Sequence, residues 1–426
     1  MSTSKQCSVC VIAVLLSAPF LLLPLFAASA AHGQANATTH RRAAPARAQN
    51  APAPATAAQP KQLPTRTPFS EADEAAAIVP GMPDARFWAD STTDFNKALP
   101  SQPGPWLALS SGGSDGAFGA GLLNGLSAAG NRPDYSVVTG VSTGALMAPL
   151  IFAGPKYDGQ LRDAFTKVTA ADIFEVRPTG ESFADTWPLK ELIAKQITPA
   201  LLADIAAEHR HGRRLFVITT DLDAERSVVW NMGAIAAHGG DEALALFRSV
   251  LLASSAIPGF FPPVLIDVEA NGKRFAEMHA DGGIGGQFFV APPGLMASTS
   301  DYHLPATRLY VVINTGLEPD FQVFERSIPA ILTQSVGAAV MVDTRLMIDR
   351  AYLAAKRSGV GFNIASIPQD FAAPSRGPFD PQYMAALFQA GYELGKSATP
   401  FATQPPAYPE PPALQPSDPE KTGANR

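Results

Sequence analysis

Cysteine is nearly missing from this chain: it occurs twice in 426 residues, at Cys7 and Cys10. Both lie in an N-terminal segment that reads as removable, so a processed protein would hold none. That excludes disulfides, a thiol nucleophile and thiolate metal sites from its design. Charge is sparse too, with 16% Asp, Glu, Lys and Arg against about 25% in an ordinary soluble domain. A net charge of −6 argues against nucleic acid as a partner, because phosphate binding needs clustered Lys and Arg. No collagen repeat, coiled-coil pattern, internal repeat or series of membrane spans is present. The glycine-rich stretch at Gly112 fits neither G-x-G-x-x-G nor G-x-x-x-x-G-K-[ST], and no lysine follows it, which argues against nucleotide binding.

Proline is plentiful, with 39 residues, but both ends of the chain are rich in Ala and Pro. Residues 1–30 read as an export signal: Lys5 precedes an apolar run from Val9 to Ala28, broken by Pro19 and Pro24, and Ala28-Ser29-Ala30 fits a small-x-small cleavage site. The expected location is therefore exported, periplasmic or secreted. Tethering through an uncleaved signal is the alternative. Residues 31–66 carry Arg41, Arg42, Arg47, Lys61 and Arg66 without an acid and have no periodic apolar face, so they read as a disordered basic linker. Residues 67–103 read as an N-terminal extension packing on the domain, 104–396 as the folded domain, and 397–426 as a Pro-rich disordered tail.

Within the domain, short apolar strands alternate with helical stretches, the signature of βαβ units and an α/β class. Strands are expected at Pro105–Leu109, Asp134–Thr139, Arg214–Thr220 and Arg308–Asn314, with a β-pair through Ser227–Trp230. Helices are expected from Gly116 to about Ala129, after Gly144, around Leu189–Ile193, Leu201–Glu208 and Phe247–Ser255, and over roughly 331–356 and 381–395. Such an order places loops, and hence sites, at the carboxyl edge of the sheet.

Three stretches carry chemistry. Gly140-Val141-Ser142-Thr143-Gly144 matches G-x-S-x-G, with a β-branched strand before it and a helix after it. A serine on a strand-to-helix turn needs small neighbours, and the helix N-terminus favours negative charge on its oxygen. Ser111-Gly112-Gly113-Ser114-Asp115-Gly116 can present backbone N–H groups to an oxyanion. Asp281 ends an apolar strand and precedes Gly282-Gly283, so its carboxylate projects from the same edge as Ser142. The competing base is histidine. His32 and His40 lie in the linker, and His209 and His211 in a charged stretch that reads as a solvated helix end, which leaves His238, His279 and His303.

The Gly-rich loop, G-x-S-x-G 29 residues after Gly113, and the distant D-G-G together resemble the patatin-like phospholipase family. The stretch from Ala253 to Pro263 is similar to that family's A-S-x-A-x-P-x-x-F-x-P block. The resemblance covers about residues 104–290; segments 219–236 and Phe379–Leu394 look like those of bacterial, exported members. It implies a three-layer patatin-like fold, a mostly parallel central sheet with helices on both faces. It also implies a serine acyl hydrolase cleaving fatty-acyl esters of phospholipids or related lipids without a cofactor or metal. Ser142 would be the nucleophile, Asp281 the base of a Ser-Asp dyad, and the Gly112 and Gly113 amides part of the oxyanion hole; Gly116, Gly140, Gly144, Gly282 and Gly283 complete the motifs. An α/β-hydrolase triad through His279 or His303, and a silent lipid-binding protein on the same fold, are the rivals.

Two positions depart from the family's usual G-G-G-x-[RK]-G: Ser111 replaces a glycine and Asp115 a basic residue. Ser111 is expected to supply an N–H in spite of its side chain, and Asp115 to be a surface or capping residue. Ile257–Leu265 and Phe288-Phe289 are candidates for an acyl channel, although core packing is the commoner fate of such runs. A lipid substrate and peripheral membrane contact are the expected partners. Nothing in the sequence fixes the oligomeric state.

Overall fold

The structure, a computed structural model, describes residues 65–319 and 323–408. The expected signal peptide, both cysteines and nearly all of the basic linker lie outside the described residues, as does the tail beyond Tyr408.

Nine strands form one mixed sheet: β1 (Arg86–Trp88), β2 (Gly104–Leu109), β3 (Val137–Val141), β4 (Arg214–Asp221), β5 (Arg226–Asn231), β6 (Val264–Ala270), β7 (Lys273–Asp281), β8 (Ala306–Ile313) and β9 (Gly361–Ser366). Their order is β1-β5-β4-β3-β2-β8-β9, with the β6–β7 hairpin attached to β4 through β7. The five strands β4-β3-β2-β8-β9 are parallel, while β1, β5, β6 and β7 pair antiparallel. Parallel strands are covered on both faces, which is why Val-Val-Thr-Gly-Val in β3 is buried at every position.

Successive residues divide between the two faces. Leu107, Leu109 and Val138 join a core with helices Gly116–Ala128, Thr143–Phe152, Gly240–Ser254 and Pro381–Lys396. Trp106, Ala108, Val137 and Val141 join a second core with helix Thr92–Ala98 and the last third of helix Ile328–Arg357. The result is the expected three layers. Helices Gly116–Ala128 and Pro381–Lys396 touch backbone to backbone, since a Cβ on Gly121 would stand 2.0 Å from the Phe388 carbonyl oxygen.

Two boundaries differ from the expected ones. Arg66, counted with the disordered linker, is docked: its guanidinium pairs with Asp223 at 2.5 Å and its Nε donates to the Ala276 carbonyl. Phe69 stacks on Phe275 at 4.4 Å, and β1 adds a strand to the sheet through β5. At the other end, residues 397–408 are packed rather than free. Ala402 bridges to Ile364, Phe401 sits edge-on to Tyr310, and the Tyr408 hydroxyl donates to Asp349. Both segments find long-range partners that composition cannot reveal.

Candidate active site

Ser142 sits between β3 and helix Thr143–Phe152 at φ 53° and ψ −120°. A non-glycine residue holds such a conformation only where its surroundings over-determine it. Here the Ser142 N–H donates to Ser254 Oγ at 3.0 Å, and that hydroxyl donates onward to the Ile218 carbonyl at 2.7 Å. The flanking glycines leave no room for a side chain: a Cβ on Gly140 would lie 2.4 Å from the Gly144 carbonyl oxygen, and one on Gly144 would lie 2.5 Å from that of Leu109.

Asp281 closes β7 beside Thr219 of β4. Its N–H donates to the Ala256 carbonyl at 2.9 Å. One carboxylate oxygen accepts from the Gly283 N–H at 2.7 Å and the other from the Ser142 hydroxyl, also at 2.7 Å. Both side chains are buried. Burial raises the Asp281 carboxyl to about 6, against the opposing pull of the Ser142 hydroxyl and the Gly283 amide. A carboxylate near 6 is a far better proton acceptor at neutral pH than one near 4. The Ala253–Ala256 stretch thus has a local role: Ser254 holds the backbone of Ser142, and Ala256 holds that of Asp281.

The glycine-rich loop leaves β2 toward the same edge. The Gly112 and Gly113 N–H groups have no acceptor among the described residues. Gly113 is left-handed at φ +56°, and a Cβ on Gly112 would collide with the Asn314 carbonyl oxygen at 2.3 Å. Asn314, fully buried, pins the loop: its Nδ2 donates to the Ser110 carbonyl, its N–H to Ser110 Oγ, and its Oδ1 accepts from the Gly119 N–H. Gln287 joins this loop to the aspartate loop, since Ser111 donates to it through both N–H and hydroxyl while its own Nε2 donates to the Gly283 carbonyl.

Two expectations for this loop are corrected. The Ser111 N–H is committed to the Gln287 carbonyl at 2.9 Å and is therefore not offered to an oxyanion. Asp115 is buried, makes no capping hydrogen bond, and accepts from the Tyr383 hydroxyl at 2.9 Å. Packing of helix Pro381–Lys396 against helix Gly116–Ala128 covers it. The other motif glycines serve close contacts as well: a Cβ on Gly116 would meet Thr143 Oγ1 at 2.4 Å, and one on Gly282 the Ile218 carbonyl oxygen at 2.3 Å.

None of the histidines among the described residues bonds to Ser142 or Asp281. His279 is engaged with Thr219 Oγ1 at 3.0 Å and Glu277 at 3.1 Å. His303 is exposed just before β8, at the opposite edge of the sheet, and His238 and His211 are exposed. His209, expected in solvent, is half-buried; burial lowers it to about 4. The ligand atoms of Asp221, Glu277 and His279 lie within 4.8 Å of one another and could in principle hold a cation. Arg86 already neutralises Glu277 through two contacts of 2.5 and 2.6 Å.

Beside the serine lies an apolar cleft of about 610 Å³, open mouth included. Gly113 and Thr143 form its end at the site, and Leu146, Phe165, Leu192 and Met384 are among the side chains along it. Neither Ile257–Leu265 nor Phe288-Phe289 lines this cleft. Phe260 and Phe261 pack on Phe174, and Phe288 and Phe289 lie in the core beneath the other sheet face.

Residues 107–292 match the family model described as patatin-like phospholipase. No curated protein gives a significant match to the chain. Among solved structures, that of VipD from Legionella pneumophila aligns at 12% identity with a TM-score of 0.35, covering 70% of this chain and 66% of that one, just under two thirds of its length.

Proposed function

Because residues 107–292 form a domain of the patatin-like phospholipase family, we propose that the protein is a serine acyl hydrolase that cleaves fatty-acyl esters of phospholipids or related lipids through Ser142 and Asp281. The family supports lipid acyl hydrolysis in general. The finer reading rests above all on the direct 2.7 Å hydrogen bond from the Ser142 hydroxyl to Asp281, buried and without a histidine between them.

In the proposed reaction Asp281 accepts the hydroxyl proton as Ser142 Oγ attacks the ester carbonyl carbon. The Gly112 and Gly113 N–H groups hold the oxyanion of the tetrahedral intermediate, worth about 3–4 kcal/mol per donor in comparable sites. The ester C–O bond breaks, the alcohol leaves with the proton from Asp281, and an acyl-serine remains. A water then attacks that acyl carbon, giving a proton to Asp281; the fatty acid departs and Ser142 recovers its proton. The acyl chain lies in the apolar cleft, which starts at Gly113 and Thr143 beside Ser142 and is walled by Leu146, Phe165 and Leu192. A product profile from defined phospholipids and p-nitrophenyl esters tests the reading. Wild type should release fatty acid, and Ser142→Ala should not; full activity in Ser142→Ala would overturn it.

Export to the periplasm or medium is part of the same proposal, supported by the signal-like pattern of residues 1–30.

A further inference from the structure

Helix Ile328–Arg357 has 30 residues, about 45 Å at 1.5 Å per residue, and is longer than the sheet it packs on. Its last third is anchored: Ile348, Ala351, Ala354 and Ala355 lie in the core. The chain then turns into β9 at Gly361, where the parallel strands begin. Immediately before the anchored part, Met347 reaches the aspartate loop, its Sδ accepting from the Gln287 N–H at 3.3 Å. The helix therefore runs from the carboxyl edge of the sheet to the opposite edge. The residues before Met347 continue the helix for about 28 Å on the side of the edge that holds Ser142 and Asp281; one face of this part is packed, at Ala330, Thr344 and Arg345, and the other is open.

That open face is unlike the rest of the surface. From Ile328 to Val342 it contains no Asp, Glu, Lys or Arg. Ile328, Ile331, Leu332, Val336, Val342 and Leu346 are exposed, Ile328 at 76%. At about 100° per residue they share one broad face of the helix, about 140° wide. Ile284, three residues after Asp281, is 51% exposed and leads from the catalytic loop toward Met347. Ala330–Arg357 is long and apolar enough to cross a membrane by length and composition, but its C-terminal part is in the protein core and cannot leave it without unfolding the domain.

We infer that this exposed stripe docks on the surface of a zwitterionic phospholipid bilayer and presents the lipid ester to Ser142; the inference rests on the acyl-hydrolase reading of that site. Three observations select this occupant. From Ile328 to Val342 the stripe carries no charge and offers nothing to an acidic or basic partner. The chain's net charge of −6 disfavours an anionic surface. The stripe is continuous with the edge where the ester must arrive, so inserting it brings the cleft to the bilayer, as an amphipathic interfacial helix does.

The test uses the full chain and the double variant Ile331→Glu with Val336→Glu. Both side chains are exposed, so the fold and the thermal midpoint should hold. Hydrolysis of monomeric p-nitrophenyl butyrate should stay unchanged. Binding to phosphatidylcholine vesicles by flotation, and hydrolysis of lipid in those vesicles, should fall by about a hundredfold, since each large apolar side chain contributes at least a factor of ten on burial. Wild-type binding should persist at about 0.5 M salt, where surface electrostatics are screened. Vesicle binding by the double variant equal to that of wild type would overturn the inference. So would a wild-type dimer that this variant splits without losing vesicle affinity, which would make the stripe a contact between copies. Failure of wild type to cleave the soluble ester would strike the acyl-hydrolase reading instead, and flotation would still report on the surface.

Discussion

The side chain of Ser254 accepts the amide proton of Ser142 and passes its own to the Ile218 carbonyl, so one serine fixes the backbone of another. Ser142 sits at φ 53°, and this relay holds it there. Replacing Ser254 with alanine leaves a buried N–H and a buried carbonyl without partners, at about 1–3 kcal/mol each. Ser254→Ala should lower the unfolding free energy by a few kcal/mol and kcat by about ten- to a hundredfold, with a smaller change in KM. Denaturant unfolding and steady-state kinetics on one preparation check both.

The pH profile should report Asp281. Burial raises its carboxyl to about 6, and only the ionised form can take the Ser142 proton. The rate constant kcat/KM should therefore rise tenfold per pH unit below 6 and level off above it. Asp281→Asn should lose activity at every pH. A plateau reaching down to pH 4 would show that another group is the base.

A second buried carboxyl governs the N-terminal extension. Glu74, in helix Glu71–Ala75, is raised to about 9 by burial and by the Asp221 and Glu277 carboxylates near it, with Arg86 opposing. A raised acid stabilises the docked state below its unfolded pKa, near 4.5, and loses that contribution as pH climbs toward 9. Hydrogen exchange over residues 70–79 should be slow at pH 6 and faster at pH 9 after correction for intrinsic rates. Glu74→Gln should flatten the difference.

The cleft should set chain-length preference. Leu192, half-buried on its wall, can be enlarged to phenylalanine to shorten the space. Leu192→Phe should reduce kcat/KM for a dodecanoyl ester about tenfold relative to a butyryl ester, close to what one or two lost methylene contacts are worth. Equal effects on both chain lengths would mean that the acyl group lies elsewhere.

The parts of this protein set by local pattern were legible in its sequence. The strand expected at Asp134–Thr139 is present, shifted to Val137–Val141 and buried because both its faces are covered, and Gly140 and Gly144 announce a turn that tolerates no side chain. What stayed hidden depends on partners far along the chain. Asp115 looks like a surface residue until Tyr383, 268 positions away, donates to it. Arg66 looks like linker until Asp223 binds it. Asn314 left a faint trace as the polar end of an apolar strand, and Ser254 stood in a block whose resemblance was visible but whose bonds were not. Phe288 and Phe289 were drawn toward the cleft by adjacency to Asp281, whereas the strand-to-loop path carries them under the opposite face of the sheet.

The central claim is that Ser142, activated by Asp281 alone, is the nucleophile. Labelling with a fluorophosphonate probe, followed by peptide mapping across pH, tests it most directly. The account predicts one adduct, on Ser142, formed at a rate that rises through pH 6, is abolished in Asp281→Asn and is unchanged in His303→Ala. An adduct elsewhere, no adduct on the folded protein, or unimpaired labelling of Asp281→Asn would contradict it.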